Sequence, residues 1–204
     1  MRVRTEAKRQ AILDVAAKTF QELGFARTSM SEICARVGGS KATIYNYFAS
    51  KEELFSEVMF QSTEAEFVVI HQALAESTGD IAASLRRFGE RLLSFIYSPR
   101  IRAERHLAIA ESKRSELGRL VYERGVLRSQ ALMSAFLESA MSDGRLRRAD
   151  PLVATRHFIG LLEAELLEPF LHHQLGEVDD AQIRAVTARA VDVFMAGYGP
   201  LRPA

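Results

Sequence analysis

Cysteine is almost missing from this chain: one residue, Cys34, in 204. A single thiol rules out an internal disulfide framework, and no Cys/His spacing of the metal-binding kind is present. Cys34 sits on an apolar helix face with no cationic neighbour close in sequence, which favours an inert buried thiol over a redox switch. Long apolar runs are missing too. No stretch reaches the ~18 residues that would cross a bilayer, and the first residues lack the apolar core of a secretory leader. A soluble, cytoplasmic chain with no membrane partner is the expectation. There is no internal repeat or low-complexity segment, no nucleophile elbow and no His-Glu pair. His172 and His173, being adjacent, point about 100° apart on a helix, which suits one metal poorly. No cofactor, no metal and no catalytic residue are expected.

Net charge is also scant, +1 overall, but it is unevenly spread. Residues 1–51 hold nine Lys/Arg against four Asp/Glu, so a basic head precedes a mildly acidic body. That division suits a phosphate-facing module joined to a part that does not touch nucleic acid. The near-neutral total argues against a non-specific nucleic-acid coat. With 48% apolar residues, the chain can build one or two real cores.

What is present is concentrated between Arg27 and Phe55. Ser29 stands three residues before Glu32, a spacing at which hydroxyl and carboxylate can each satisfy a free backbone N–H of the first helical turn. Met30, Ile33, Cys34 and Val37 then recur on one helical face, and Gly38-Gly39 supplies the stop. Ser40 is placed to cap a second short helix that turns Ile44 and Phe48 inward. Its other face carries Lys41, Thr43, Tyr45 and Tyr47. Ser50, with Glu53 three residues on, opens a third. Two short helices about a glycine turn, the second polar outside, predict a helix-turn-helix.

The run ICARVGGSKATIYNYFASKEELF, Ile33 to Phe55, resembles the DNA-binding signature of the TetR family of bacterial transcriptional regulators. Cys34 stands where that family usually has alanine, Gly39 where it often has valine, and Ala42 where it often has glycine. By this resemblance Lys41, Ala42 and Tyr45 fall at positions approaching bases or adjoining backbone. Thr28, Ser29, Thr43, Tyr47 and Lys51 fall at positions that hold phosphates. A helix fits the major groove of B-DNA, and short hydroxyls suit phosphate oxygens, which position without specifying.

Elsewhere the pattern is helical throughout. Thr5 to Leu23, with Ile12, Val15, Ala16, Phe20 and Leu23 inward, completes a three-helix head, and Arg2 and Arg4 precede it as an arm. A long helix from Lys51 to about Glu76 carries Leu54, Val58, Ala65 and Val69 on one side and breaks at Ser77-Thr78-Gly79-Asp80. Helices follow over Ile81–Tyr97, around Arg102–Glu111, and from a Ser115 cap to about Ser142. Asp150-Pro151 then starts a helix to roughly Leu171, kinked or shortened by Pro169. Its two apolar stripes, one of them Val153, Gly160, Ala164, Leu167 and Leu171, predict that it is covered twice. The last helix, Asp179 to about Gly197, has one stripe: Ile183, Val186, Ala190, Val193 and Phe194.

The expectation is therefore an all-α chain of about nine helices. Residues 1–50 form a helix-turn-helix DNA-binding domain and residues 51–204 a helical ligand-binding and dimerisation domain. This order also resembles the TetR family, and Arg105–Gly125 is similar to its AefR-like C-terminal domain. The resemblance implies a homodimeric regulator, in the main a repressor, of double-stranded operator DNA, released by a small and mainly apolar inducer. Phe88, Phe95, His106, Phe136 and Phe158 are the candidate pocket residues, with the short helix around Arg102–Glu111 as the lever of release. The competing reading is an all-α ligand-binding or catalytic protein that keeps a helix-turn-helix shape without using it. Retention on a palindromic duplex in excess random DNA separates the two.

Overall fold

The computed structural model of the chain describes residues 5–75 and 79–200. The arm residues Arg2 and Arg4, and the Ser77-Thr78 part of the predicted break, lie outside them. Among the described residues every regular element is a helix and none is a strand, as expected of an all-α chain. Contacts divide the chain into two compact units. One comprises the residues up to Glu64 together with Ala108–Gly125; the other comprises Ala65–Leu107 together with the residues from Val126 on.

The first unit opens with α1 (Glu6–Leu23), whose N-terminal amide at Lys8 donates to the Thr5 hydroxyl. Gly24 ends it at φ 75°, a left-handed angle that a side chain would resist. α2 (Met30–Val37) begins with Ser29 accepting from the Glu32 amide at 3.1 Å. The reciprocal half of that cap does not form, because the Glu32 carboxylate turns to Arg36 Nε at 2.8 Å. A guanidinium one turn away out-competes a neutral amide for an ionised oxygen. Gly38, at φ 70°, ends α2. Ser40 then caps α3 (Lys41–Tyr45), and Ser50 caps α4 (Lys51–Ala75), where Glu53 reaches back to the Ala49 amide at 2.6 Å. Ile12, Leu13, Ile33, Ile44, Phe48 and Leu54 are all within 1% of full burial. Phe20, Phe25 and Phe55 close the core as an aromatic trio with ring centroids 4.9–6.2 Å apart.

On α4 the predicted stripe fails past its first turns. Ala65 and Val69 are exposed, and Met59, Thr63, Ile70 and Leu74 are buried instead. Val68-Val69 offers apolar bulk on the wrong side. Thr63, which reads as polar, is accommodated by donating its hydroxyl to the Met59 carbonyl at 3.0 Å.

The second unit is built from α5 (Ile81–Ile96), most of α6 (Pro99–Glu111), α8 (Arg128–Ser142), α9 (Pro151–Glu163), α10 (Leu167–Leu171) and α11 (Asp180–Tyr198). Asp150 and Asp179 cap α9 and α11, as the aspartate–helix spacings predict, and Asp80, expected only as part of a break, caps α5. α5, α9 and α11 pack on one another, α8 packs on α9, and Phe88, Phe158 and Phe194 run through the middle. Gly89 is required there: a Cβ would stand 2.8 Å from both Leu162 and Thr187. The predicted helix from 150 to 171 is broken at residues 164–166, so that α9 and α10 are separate. The break lies one turn before Pro169, where the proline ring meets the preceding turn's carbonyl. Before α8 lies a short α7 (Leu117–Val121) and then a π-helical turn (Tyr122–Leu127), in one uninterrupted run.

Candidate nucleic-acid interface

α3 is only five residues long, so its two faces are set by its neighbours. Ile44 and Phe48 are buried at 0% and 1%, which leaves Lys41, Ala42 and Tyr45 facing out, Tyr45 47% exposed. The Lys41 ammonium and the Tyr45 phenol have no side-chain partner among the described residues. Thr43 is half-buried, and its hydroxyl pairs with Ser40 at 2.9 Å. Ser29 is exposed and keeps its O–H free to donate, since the cap uses only its lone pair. These five expected contact residues therefore lie at the surface or half-buried beside it.

The other three have prior partners. Thr28 is 2% exposed and donates its hydroxyl to the Gly24 carbonyl at 2.8 Å. That bond closes the α1–α2 turn from inside and takes the hydroxyl expected against a phosphate. Lys51 donates to the Phe25 carbonyl at 3.1 Å, its ammonium 4.2 Å from the centre of the Phe25 ring. Tyr47 is half-buried, and its hydroxyl accepts from the Thr5 amide at 3.1 Å, tying the start of α1 to the end of the recognition turn. Its O–H remains available to a phosphate; its position is fixed by the fold. Sequence reasoning missed the Lys51 and Tyr47 ties because each joins residues far apart in the chain, 26 and 42 positions; the Thr28 bond is local, spanning four.

Among the head's cations, Arg36 is not a free charge. Bonds to Glu22 at 2.5 Å and Glu32 at 2.8 Å raise its pKa and neutralise it across α1 and α2.

In the second unit the candidate pocket residues are scattered. Phe88 and Phe158 are fully buried, their rings packed into the core between helices. Phe136 is half-buried against that core. His106 stacks between Phe170 and His173, ring centroids 4.1 and 3.8 Å away. Burial, with His173, Arg102 and Arg105 nearby, lowers its pKa. Of the five, Phe95 borders a cleft of about 890 Å³ in this unit, between α4, α5, α6 and α11. Val69, Ile70, Ile101 and Ile183 share its apolar lining, and charged groups including Glu90 and Arg184 border it.

A three-helix head with a short, basic and phenolic third helix, in one chain with an all-helical body, defines a helix-turn-helix DNA-binding regulator. Residues 12–58 match the bacterial regulatory proteins, tetR family, and residues 83–200 the AefR-like transcriptional repressor, C-terminal domain. The HTH-type transcriptional regulator AcrR of Shigella flexneri is 38% identical over 80 residues, 38% of this chain but only 36% of AcrR. YhgD, an HTH-type transcriptional regulator of Bacillus subtilis, is 22% identical over 139 residues, 67% of this chain and 69% of its own length. A solved TetR-family regulator from Mesorhizobium loti is 27% identical, with 97% of this chain and 100% of that one aligned at a TM-score of 0.80. The flavonoid-responsive regulator FrrA is also 27% identical, covering 97% of this chain and 100% of its own, at a TM-score of 0.75. The chain belongs to the TetR family of transcriptional regulators, which are not enzymes. Among the described residues, no helix is long and apolar enough to cross a membrane.

Proposed function

We propose that this protein is a homodimeric repressor that reads an inverted-repeat operator through α3 and is released by a small, mainly apolar ligand. One observation carries the DNA reading: Lys41, Ala42 and Tyr45 stand exposed on a helix whose opposite face, Ile44 and Phe48, is fully buried. The side chains that would meet base edges are thus held in place by residues that would not. Lys41 and Tyr45 supply a cation and a donor, and Ala42 can meet only a thymine methyl. Thr43, Ser29 and Tyr47 flank them with hydroxyls suited to phosphate oxygens.

Dimerisation is supported by a stripe left exposed on the second unit: Val153, Gly160, Ala164, Leu167 and Leu171. Val193 of α11, expected in its core stripe, is instead 57% exposed and adds to this surface. A Cβ on Gly160 would meet nothing within its own chain, so the glycine leaves room for an approaching partner. Two recognition helices about 34–36 Å apart then match successive major grooves. Repression rather than activation is favoured by the likeness to the AefR-like repressor domain. Response to an apolar molecule is favoured by the Phe95 cleft and the likeness to flavonoid-responsive FrrA.

Selection of bound duplexes from a random pool tests the central reading. The expected product is an inverted repeat whose binding survives excess random DNA. Retention that random DNA abolishes overturns it.

A further inference from the structure

Within the first unit one carboxylate is shared by two guanidiniums from distant parts of the chain. Arg9 of α1 donates through Nη2 to Glu57 Oε2, and Arg124 of the π-helical turn pairs through Nη1 with Glu57 Oε1. Glu57, on α4, is 19% exposed, against 33% for Arg9 and 38% for Arg124. Each arginine also covers an aromatic ring. Arg9 lies 5.4 Å from the centre of Phe48, the buried anchor of the recognition turn, and Arg124 lies 4.8 Å from that of Phe60. Arg9 has a second, looser acidic neighbour in Glu6 at 3.7 Å, whereas the carboxylate that Arg124 meets is Glu57.

Charge-assisted bonds to one half-buried carboxylate are stronger than surface ion pairs and fix direction as well as distance. Losing either arginine leaves Glu57 with a single partner; losing Glu57 removes the carboxylate that joins the two guanidiniums and leaves Arg9 its looser pairing with Glu6. The π-helical turn that carries Arg124 is itself a departure from regular helix, of the sort that occurs at sites of function. It leads directly into α8 without a break.

We propose that Arg124 is a positioning residue for DNA binding. Through Glu57 it sets the seat of Arg9, and so of α1 and the recognition turn beneath which Phe48 is buried. A shift of the π-helical turn is then felt at the head as a change in one ion-paired joint. The inference rests on the DNA-binding reading above for its effect on affinity, but not for the joint itself.

The test uses the full chain with Arg124→Gln, Glu57→Gln, the pair combined, and Arg124→Lys. On the duplex selected by the wild type, each Gln variant is expected to bind about tenfold more weakly, the combined variant no worse than either alone, and Arg124→Lys to recover part of the loss. The slope of log Kd against log salt stays unchanged, since no phosphate contact is removed; loss of one would lower it by about one. Binding is measured well below each variant's unfolding midpoint, so that a merely destabilised chain leaves the affinity of its folded fraction intact. Binding by Arg124→Gln within twofold of wild type, or effects that multiply in the combined variant, overturns the proposal. Hydrogen exchange without DNA supplies the independent arm. Arg124→Gln should speed exchange at the α1 amides around Arg9; unchanged exchange there overturns the joint even if the chain binds no DNA. If the wild type selects no duplex while the exchange arm succeeds, the DNA-binding reading fails and the joint stands.

Discussion

Tyr45 and Thr28 are of similar polarity in the sequence, yet they belong to different parts of the physics. Tyr45 is half exposed and uncommitted, so Tyr45→Ala should leave the unfolding midpoint in place. It should lower affinity for the preferred duplex by on the order of 1–3 kcal/mol and relax preference at one base step. Competition binding over single-base variants of the duplex checks this, and an unchanged preference would remove Tyr45 from the reading surface. Thr28→Val, by contrast, should lower stability by about 1 kcal/mol through the lost bond to Gly24, and leave the salt dependence of binding as it was. Lys51→Ala is expected to behave like Thr28→Val, because its ammonium is already spent on Phe25. A drop of one in the salt slope would show that it still reaches a phosphate.

His71 adds a pH term at the same scale. Its Nδ1 bonds the Phe67 carbonyl at 2.8 Å, so the proton sits there and Nε2 accepts from the Ser129 hydroxyl at 2.9 Å. Burial first, and Arg128 next, lower its pKa below the ordinary 6.5, although the Phe67 bond pulls the other way. The unfolded chain therefore takes up a proton before the folded chain does. Stability is intact above about pH 6.5 and falls as the pH drops towards the folded value. The unfolding midpoint should decline as the pH falls below about 6.5, and less steeply in His71→Gln. Equal slopes in the two proteins would mean that other groups, His106 among them, carry the acid sensitivity.

At the scale of elements, what the sequence made legible was local, and what it hid was long-range. Caps and stops at Ser29, Gly38, Ser40, Asp150 and Asp179 involve residues within four positions of one another, and all stand where the spacing put them. The α3 face was legible for the same reason: Ile44 and Phe48 fix which side is left over. The α4 stripe was not, because a 25-residue helix is covered by different neighbours along its length and a single periodicity cannot describe both. The pocket residues were least legible, since a phenylalanine that fills a core and one that borders a cleft share one composition. The two-stripe character of 150–171 does carry a prediction. Gly160→Glu puts a charge into open space in its own chain, so circular dichroism should report an intact fold. Sedimentation velocity should report loss of the dimer, with specific DNA binding falling alongside. A dimer that survives the charge would move the interface elsewhere.

For the molecule as a whole, the proposed release is a matter of linkage. A ligand favours one arrangement of the two recognition helices only by its differential affinity for the two states, with coupling typically ~1–3 kcal/mol. Operator DNA must then weaken the ligand by the same factor. Calorimetric titration of a ligand found by thermal-shift screening, with and without the selected duplex, measures both sides. Equal affinities would leave a regulator whose body senses nothing.

The brevity of α3 has a consequence of another kind. Five residues are too few to hold a helix unaided, so its order is borrowed from Ile44, Phe48 and the tie between Tyr47 and Thr5. Lys41, Ala42 and Tyr45 contribute almost nothing to that order. If these three read the operator as proposed, the part of the chain that chooses a genomic address can drift while the scaffold is held by its packing. After gene duplication, a copy could acquire a new set of targets through three positions without passing through an unfolded ancestor.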